Sequence, residues 1–424
     1  MTMDRRAFLK TLGAVSASFL PAIARAKSPM GQSKARIIVV GGGYGGATTA
    51  KYLKLIDPSL QVTLVHREWR YLSCPGSNEV IAELRTAGWL RRSYDTLARR
   101  HGVRLVRGDA THVDAQRGLV VLRDQTRLPF DRAVLSPGIG FRWDALEGYD
   151  EETSRLLPHA WQGATQVELL RKQLRAMRKG GTVIIVAPPN PYRCPPGPYE
   201  RASLIAHYLK RHNPRAKLLI LDPKTQFSKQ ALFLKGWEDL YPGMIEWIPS
   251  SKEGAVERVE PSRRVVHTEF GQHRADVLNV IPAQKAGVLA EIAGLTDDTG
   301  WCPVDPRSFT SSKIPGIHVI GDACIASPMP KSAFAANSQA KVCAAAVVEL
   351  VNDRPPSLPS LINHCYSFLS PDYAISVTGV YEYSEKDREL AATSTGETPM
   401  DADRAREAKY ARAWQRSFAI DVFG

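Results

Sequence analysis

Gly41, Gly43 and Gly46 lie in the run Gly41-Gly42-Gly43-Tyr44-Gly45-Gly46, which has the spacing G-x-G-x-x-G. The apolar Arg36-Ile37-Ile38-Val39-Val40 precedes it, and Ala47-Thr48-Thr49-Ala50-Lys51-Tyr52-Leu53 follows with a helical pattern. In such a strand-turn-helix the first glycine permits the tight turn and the second lets the backbone approach a pyrophosphate. The third lets helix and strand pack closely, with the helix N-terminus facing the anion. A second apolar strand, Thr182-Val183-Ile184-Ile185-Val186-Ala187, opens what reads as a second nucleotide fold. Its turn, from Pro188 to Pro198, is filled with prolines around Cys194. Proline has no N–H to offer a phosphate. The pattern predicts one bound dinucleotide, with a cysteine where a second would sit.

Six cysteines could do redox chemistry: Cys74, Cys194, Cys302, Cys324, Cys343 and Cys365. None is spaced C-x-x-C, so no metal site is expected, and without C-x-x-C-H any c-type haem must belong to another chain. Cys343, within Val342 to Val348, reads as a small buried hydrophobe. Cys302 and Cys324 read as structural or cofactor-lining. Gly321-Asp322, after the apolar Ile317-His318-Val319-Ile320, narrows the dinucleotide to FAD. In flavoproteins with two dinucleotide folds this aspartate bonds the ribityl chain. The helix beginning near Lys331 would aim its positive end at the pyrimidine edge of the flavin. Gly138 closes another strand-then-turn, Arg132-Ala133-Val134-Leu135-Ser136-Pro137-Gly138. About 20 residues after the last glycine an acidic ribose ligand is expected. His66 stands there, and it can exchange a hydrogen bond with a hydroxyl.

These residues need a scaffold, and 424 residues suffice for two or three domains. Strand and helix patterns alternate over the first 350 or so positions, which predicts parallel α/β sheets. The expected fold class is α/β: two Rossmann-like nucleotide-binding domains in a glutathione-reductase-like arrangement, plus a C-terminal α+β domain. The first nucleotide domain is expected over 27–148 and again over 289–354. The second is inserted over 149–288, without a nicotinamide-dinucleotide fingerprint. Pro355, Pro356 and Pro359 mark a linker into a domain over 355–424. Within it Asp401 to Gln415 reads as a charged, solvated helix.

The first 26 residues carry an address. Asp4-Arg5-Arg6-Ala7-Phe8-Leu9-Lys10, an apolar stretch from Leu12 to Ile23, and Ala24-Arg25-Ala26 follow in the order of a twin-arginine export signal. The expectation is a bacterial periplasmic protein cut near Ala26. No later apolar run reaches the length of a membrane span. The net charge is +13, and the four basic residues of the signal against Asp4 leave about +10 for the remainder. Such a balance suits an acidic partner or an anionic substrate. With no basic stripe interleaved with aromatics, nucleic acid is not an expected partner.

Longer blocks now carry a resemblance. Arg193-Cys194-Pro195-Pro196-Gly197-Pro198-Tyr199-Glu200-Arg201, Gly300-Trp301-Cys302-Pro303-Val304-Asp305, Gly321-Asp322-Ala323-Cys324-Ile325-Ala326, Pro328-Met329-Pro330-Lys331-Ser332 and Asn363-His364-Cys365-Tyr366-Ser367 are similar to the flavoprotein subunit of flavocytochrome c sulfide dehydrogenase. The resemblance implies that Cys194 and Cys365 form a redox-active disulfide over the flavin, with Glu200 as an acidic neighbour. It implies that Cys74, before Ser77-Asn78-Glu79-Val80, binds the flavin as a thioether, although Pro75-Gly76 departs from the family's sequences. It also implies sulfide as substrate and a c-type cytochrome subunit, carrying the haem, as partner. Sulfide suits the site chemically, because hydrosulfide is a soft nucleophile and a disulfide sulfur its natural electrophile. The rival readings are a sulfide:quinone oxidoreductase, a nicotinamide-dependent disulfide reductase, and a non-catalytic flavin or sulfur-carrier module.

Overall fold

A computed structural model describes residues 35–424. The expected export signal lies outside the described residues. The strand Arg36–Val40 pairs in parallel with Gln61–His66 on one side and Arg132–Leu135 on the other. Arg104–Arg107 and Ile317–Val319 extend this into a five-stranded sheet, all parallel. Its central strands are nearly continuous apolar runs, as a sheet covered on both faces requires. Ile37, Val39, Val65 and Leu135 are fully buried.

The chain leaves this sheet after Arg132–Leu135 and rejoins it only at Ile317–Val319. Between them a second parallel sheet is built in the order Ile245–Pro249, Lys217–Asp222, Thr182–Val186, Val277–Val280. An antiparallel pair, Ile139–Phe141 with Gln284–Ala286, joins the outgoing and returning segments. The third unit is an antiparallel sheet of Ser360–Ser370, Tyr373–Ser384 and Glu389–Glu397, followed by the helix Arg404–Phe423.

That last helix corrects one expectation. Its charged part, Asp401 to Gln415, reads as solvated; Asp401, Asp403, Arg406 and Lys409 are exposed there, yet Glu407, Ala408 and Ala411 face inward, as do Phe418, Val422 and Phe423 further along the helix. Asp403 caps it, accepting from the Arg406 N–H at 3.0 Å. Phe418 stacks on Tyr44 at 4.7 Å, and Phe423 stacks on Tyr71 at 5.8 Å. Asp421 accepts from Tyr52 and Asn337 and pairs with Lys341 at 2.8 Å. The helix thus lies on the fingerprint helix Tyr44–Ile56 and its neighbour Ala333–Leu350.

Among the described residues no helix is long and apolar enough to cross a membrane, and no cluster of three His, Cys, Asp or Glu side chains could hold a metal ion.

Candidate active site

One cavity of about 1070 Å³ runs between the first sheet, the proline turn and the C-terminal sheet. Its wall brings together Gly41, Gly43, His66, Cys74, Gly138, Cys194, Glu200, Gly321, Asp322 and Cys365. Gly46 and Lys331, also expected at the site, are not wall residues.

The fingerprint end is shaped by close approach. A Cβ on Gly41 would lie 2.2 Å from the Ser136 carbonyl oxygen, and one on Gly46 would lie 1.8 Å from that of Gly41. Gly41 also has φ +102°, which L side chains rarely adopt. The helix Tyr44–Ile56 starts with no side-chain cap and no acidic residue in its first turn. Its orphan N–H groups are therefore free to meet an anion. The Gly42 N–H donates to His66 Nδ1 at 3.1 Å, which leaves the proton of a neutral ring on Nε2. Burial depresses the imidazole to about 4, helped by Arg67, so the neutral form is the one present near neutrality. His66 can then donate to a hydroxyl where the usual carboxylate would accept from one.

At the other end Gly321 has φ +77°, and Asp322 Oδ1 is sealed from solvent without a hydrogen-bond partner. A buried oxygen left unpaired is costly, and a ribityl hydroxyl would satisfy it. The uncapped helix, the glycine approach and the orphan Oδ1 all fit FAD. Lys331 turns aside: its ammonium donates to the carbonyls of Asp322 and Cys324, at 2.9 and 2.8 Å, over the Trp301 ring. It braces the loop that presents Asp322. Ser332 is the residue that caps the following helix, accepting from the Ala335 N–H at 3.0 Å.

Cys74 lies on the wall between the strand Arg70–Leu72 and the short helix Ser77–Ile81. Gly76, at φ +88°, leaves room for the Trp89 ring, which a Cβ would meet at 2.3 Å.

Cys194 sits in the proline turn with a left-handed backbone, φ +58°. That conformation costs a non-glycine residue about 1 kcal/mol. It is held by the Cys194 N–H, which donates to the Lys331 carbonyl at 2.7 Å, and by the Cys194 carbonyl, which accepts from Gly197 at 2.8 Å. Pro196 and Pro198 occupy the start of the helix Gly197–His212, where an N–H is not needed. Cys365 comes from the strand Ser360–Ser370, and its thiol donates to Asn363 Oδ1 at 3.5 Å. The expected disulfide is not formed here: both residues are free thiols facing one cavity. Burial pushes both thiols up; Glu200 and Cys365 add to the effect on Cys194, and Lys229 opposes it at Cys365.

Glu200 bridges the elements that carry the cysteines. Its Oε1 accepts from the Phe368 N–H at 2.9 Å and its Oε2 from Asn78 at 2.8 Å. Burial still raises its carboxyl above the ordinary range. Cys302, Cys324 and Cys343 are buried and off the wall. Lys229 was not legible as a site residue, because a lone loop lysine reads as solvated; only the tertiary fold buries it.

The second nucleotide fold has lost its ligand groups to internal contacts. Asp222 ends its second strand, where a ribose carboxylate would act. It is fully buried and accepts from Tyr199 at 2.5 Å, Trp247 at 2.9 Å and Lys224 at 2.6 Å. Phe227 stacks on Tyr199 with centroids 3.6 Å apart.

Comparison with known proteins agrees with this architecture. Residues 35–186 match the pyridine nucleotide-disulphide oxidoreductase family. Residues 167–282 match the central region of the sulfide dehydrogenase [flavocytochrome c] flavoprotein chain, and residues 357–423 match the flavin-binding region of flavocytochrome c sulphide dehydrogenase. The chain is 22% identical over 354 residues to the mitochondrial sulfide:quinone oxidoreductase of Dictyostelium discoideum, covering 78% of this chain and 73% of that protein. The structure of the sulfide:quinone oxidoreductase from Aquifex aeolicus superposes with a TM-score of 0.72 at 18% identity, over 92% of this chain and 91% of that one, which speaks to the fold. Over 45 residues, 11% of this chain and 94% of that sequence, it is 58% identical to the sulfide dehydrogenase [flavocytochrome c] flavoprotein chain of Chlorobaculum thiosulfatiphilum. With a cavity whose wall residues fit FAD, two matched family regions and this relative, the chain belongs to the family of the flavocytochrome c sulfide dehydrogenase flavoprotein chain.

Proposed function

We propose that the chain oxidises hydrosulfide at a Cys194–Cys365 disulfide and delivers the electrons, by way of FAD, to a c-type cytochrome subunit in the periplasm. The observation that carries this reading is the convergence of Cys194, Cys365 and Glu200, from separate elements, on the cavity that also holds the fingerprint glycines and Asp322. Bound FAD supplies a two-electron acceptor that can release electrons one at a time. The first turn of Tyr44–Ile56 would hold its pyrophosphate, His66 and Asp322 its hydroxyls, and Cys74 a thioether to its ring. Attack by hydrosulfide breaks the S–S bond and leaves one cysteine as a persulfide and the other as a thiolate. Glu200, whose carboxyl burial raises, can exchange a proton at this cluster as charge develops there. The acidic-partner expectation from the basic surface fits a cytochrome docking electrostatically. The twin-arginine pattern supports export in the folded state.

The test is anaerobic addition of sulfide to the purified holoprotein with its partner. Flavin bleaching followed by haem reduction is expected. Cys194→Ser and Cys365→Ser should fold, keep FAD and lose sulfide oxidation to background. Normal turnover in either folded variant removes the mechanism. Electron delivery to a quinone analogue in place of cytochrome c replaces the acceptor with the one named for the structural relatives.

A further inference from the structure

Lys229 is a charged group of the cysteine cluster that the mechanism above leaves unused. Its side chain is 2% exposed, its backbone is left-handed at φ 62°, and it stands at the start of the helix Gln230–Leu240. The ammonium donates to Ser367 Oγ at 2.8 Å. Ser367 lies two positions along the strand from Cys365, so the two side chains share a face. Among the described residues Lys229 forms no salt bridge; the groups that act on its charge are Cys365, Glu200, Cys194 and Glu397. A buried ammonium without a carboxylate partner is unfavourable, and an anion on the neighbouring strand would relieve it.

The surroundings of the two sulfurs differ. Cys194 has Glu200 on the helix that follows it, the guanidiniums of Arg193 and the buried Arg201 near it, and Lys229 acting on it more weakly than Glu200 or Arg193. The Arg193 guanidinium is committed to the Trp161 carbonyl and lies toward Cys74 and Asp322. Cys365 has Asn363 on its own strand, Tyr381 on the adjoining strand and Glu397 on the strand beyond it, Ser332 at a helix cap, Glu200, and Lys229 behind it.

Resting on the sulfide reading above, we propose that Lys229 is a positioning residue that holds negative charge on Cys365, so that hydrosulfide attacks the Cys194 sulfur. In this step the sulfur of hydrosulfide bonds to the Cys194 sulfur and keeps its proton. The Cys194–Cys365 bond breaks, and its electron pair leaves with Cys365 as thiolate. The sulfide sulfur is oxidised and the Cys365 sulfur reduced, with the disulfide as oxidant. A thiol whose anion is stabilised is the better leaving group. Lys229 therefore fixes the direction of the exchange.

Rapid quenching of the wild-type holoprotein with iodoacetamide, after one equivalent of sulfide under anaerobic conditions, reads the direction by peptide mass. An alkylated persulfide on Cys194 and a singly alkylated Cys365 are expected. A persulfide on Cys365 overturns the proposal. No persulfide at either position, with the flavin still oxidised, overturns the sulfide reading instead. In the chemically reduced holoprotein, Lys229→Met should raise the pH midpoint of Cys365 alkylation by about one unit and slow it about tenfold near neutrality. Cys194, on which Lys229 acts more weakly, should shift in the same direction but less, and Lys229→Arg should restore the profile. An unchanged Cys365 profile in Lys229→Met overturns the role of the lysine. Should that variant not fold, Ser367→Ala releases the anchor while keeping the charge and should shift Cys365 in the same direction; the wild-type mapping needs no variant.

Discussion

A single buried imidazole sets part of the acid sensitivity of this protein. His318 is fully buried on the last strand of the first sheet; its Nδ1 donates to the Ser308 carbonyl at 2.9 Å, and its Nε2 has no partner. Burial depresses it to about 4 in the folded chain, against an ordinary value of 6.5. Between those values the unfolded chain binds a proton that the folded chain refuses. The stabilising contribution is complete above about pH 6.5 and is lost as the pH falls toward 4, by ~3 kcal/mol in all. His318→Asn keeps the donor and removes the titration. Denaturant midpoints measured from pH 7 to 4 should fall less steeply in that variant; equal slopes would show that His318 does not carry the effect. Cys74 gives a second outcome at this scale. If it holds the flavin as a thioether, acid-precipitated wild-type protein should stay yellow and Cys74→Ala should release its FAD; colour left wholly in the wild-type supernatant rejects the bond. The residues legible in the sequence were those whose chemistry depends on local spacing, such as Gly41, Gly43 and Asp322. His66 was legible as a substitution for an acid, but its tautomer depends on the Gly42 N–H and needed the fold.

At the scale of elements, the terminal helix Arg404–Phe423 closes the cavity with Trp414 and Gln415, and it is fastened through a buried anion on another element. Glu79, on the short helix after Cys74, is 1% exposed and receives Arg412, Arg85 and Gln415. Removing one partner of a buried ion leaves charge poorly compensated, so Arg412→Met should cost about 2 kcal/mol, less than the full loss of a pair because Arg85 and Gln415 remain. Thermal unfolding should shift down, and limited proteolysis should free the helix faster than the sheets. An unchanged melting temperature would place the fastening elsewhere, in the Phe418 and Phe423 stacks. The buried side of this helix was missed because its arginines, lysine and Glu407 dominate the pattern, although its other face is exposed as expected. The partner of Arg412 and Gln415, Glu79, lies more than three hundred positions away, where no periodicity records it. The parallel strands, by contrast, were legible because burial on both faces writes itself as continuous apolar runs.

Over the whole molecule, two nucleotide folds share one chain and divide their labour. The first offers an uncapped helix and a glycine turn to a dinucleotide. The second offers prolines, and its Asp222 is already engaged by Tyr199, Trp247 and Lys224. Stoichiometric NADH or NADPH under anaerobic conditions should therefore leave the flavin oxidised; rapid bleaching would restore the reductase reading. The proline half of this contrast was visible in the sequence, while the engagement of Asp222 was not, since Tyr199 and Trp247 meet it only through packing. That engagement bears on how such a protein can be altered. Replacing the proline turn by a glycine fingerprint would supply donors for a phosphate yet leave the carboxylate occupied. Freeing it by changing Tyr199, Trp247 or Lys224 singly would strip a buried anion of one support and weaken the fold before any new ligand could compensate. Each one-step route to a nicotinamide enzyme thus descends before it climbs, and a successful redesign has to exchange the turn and the companions of Asp222 together.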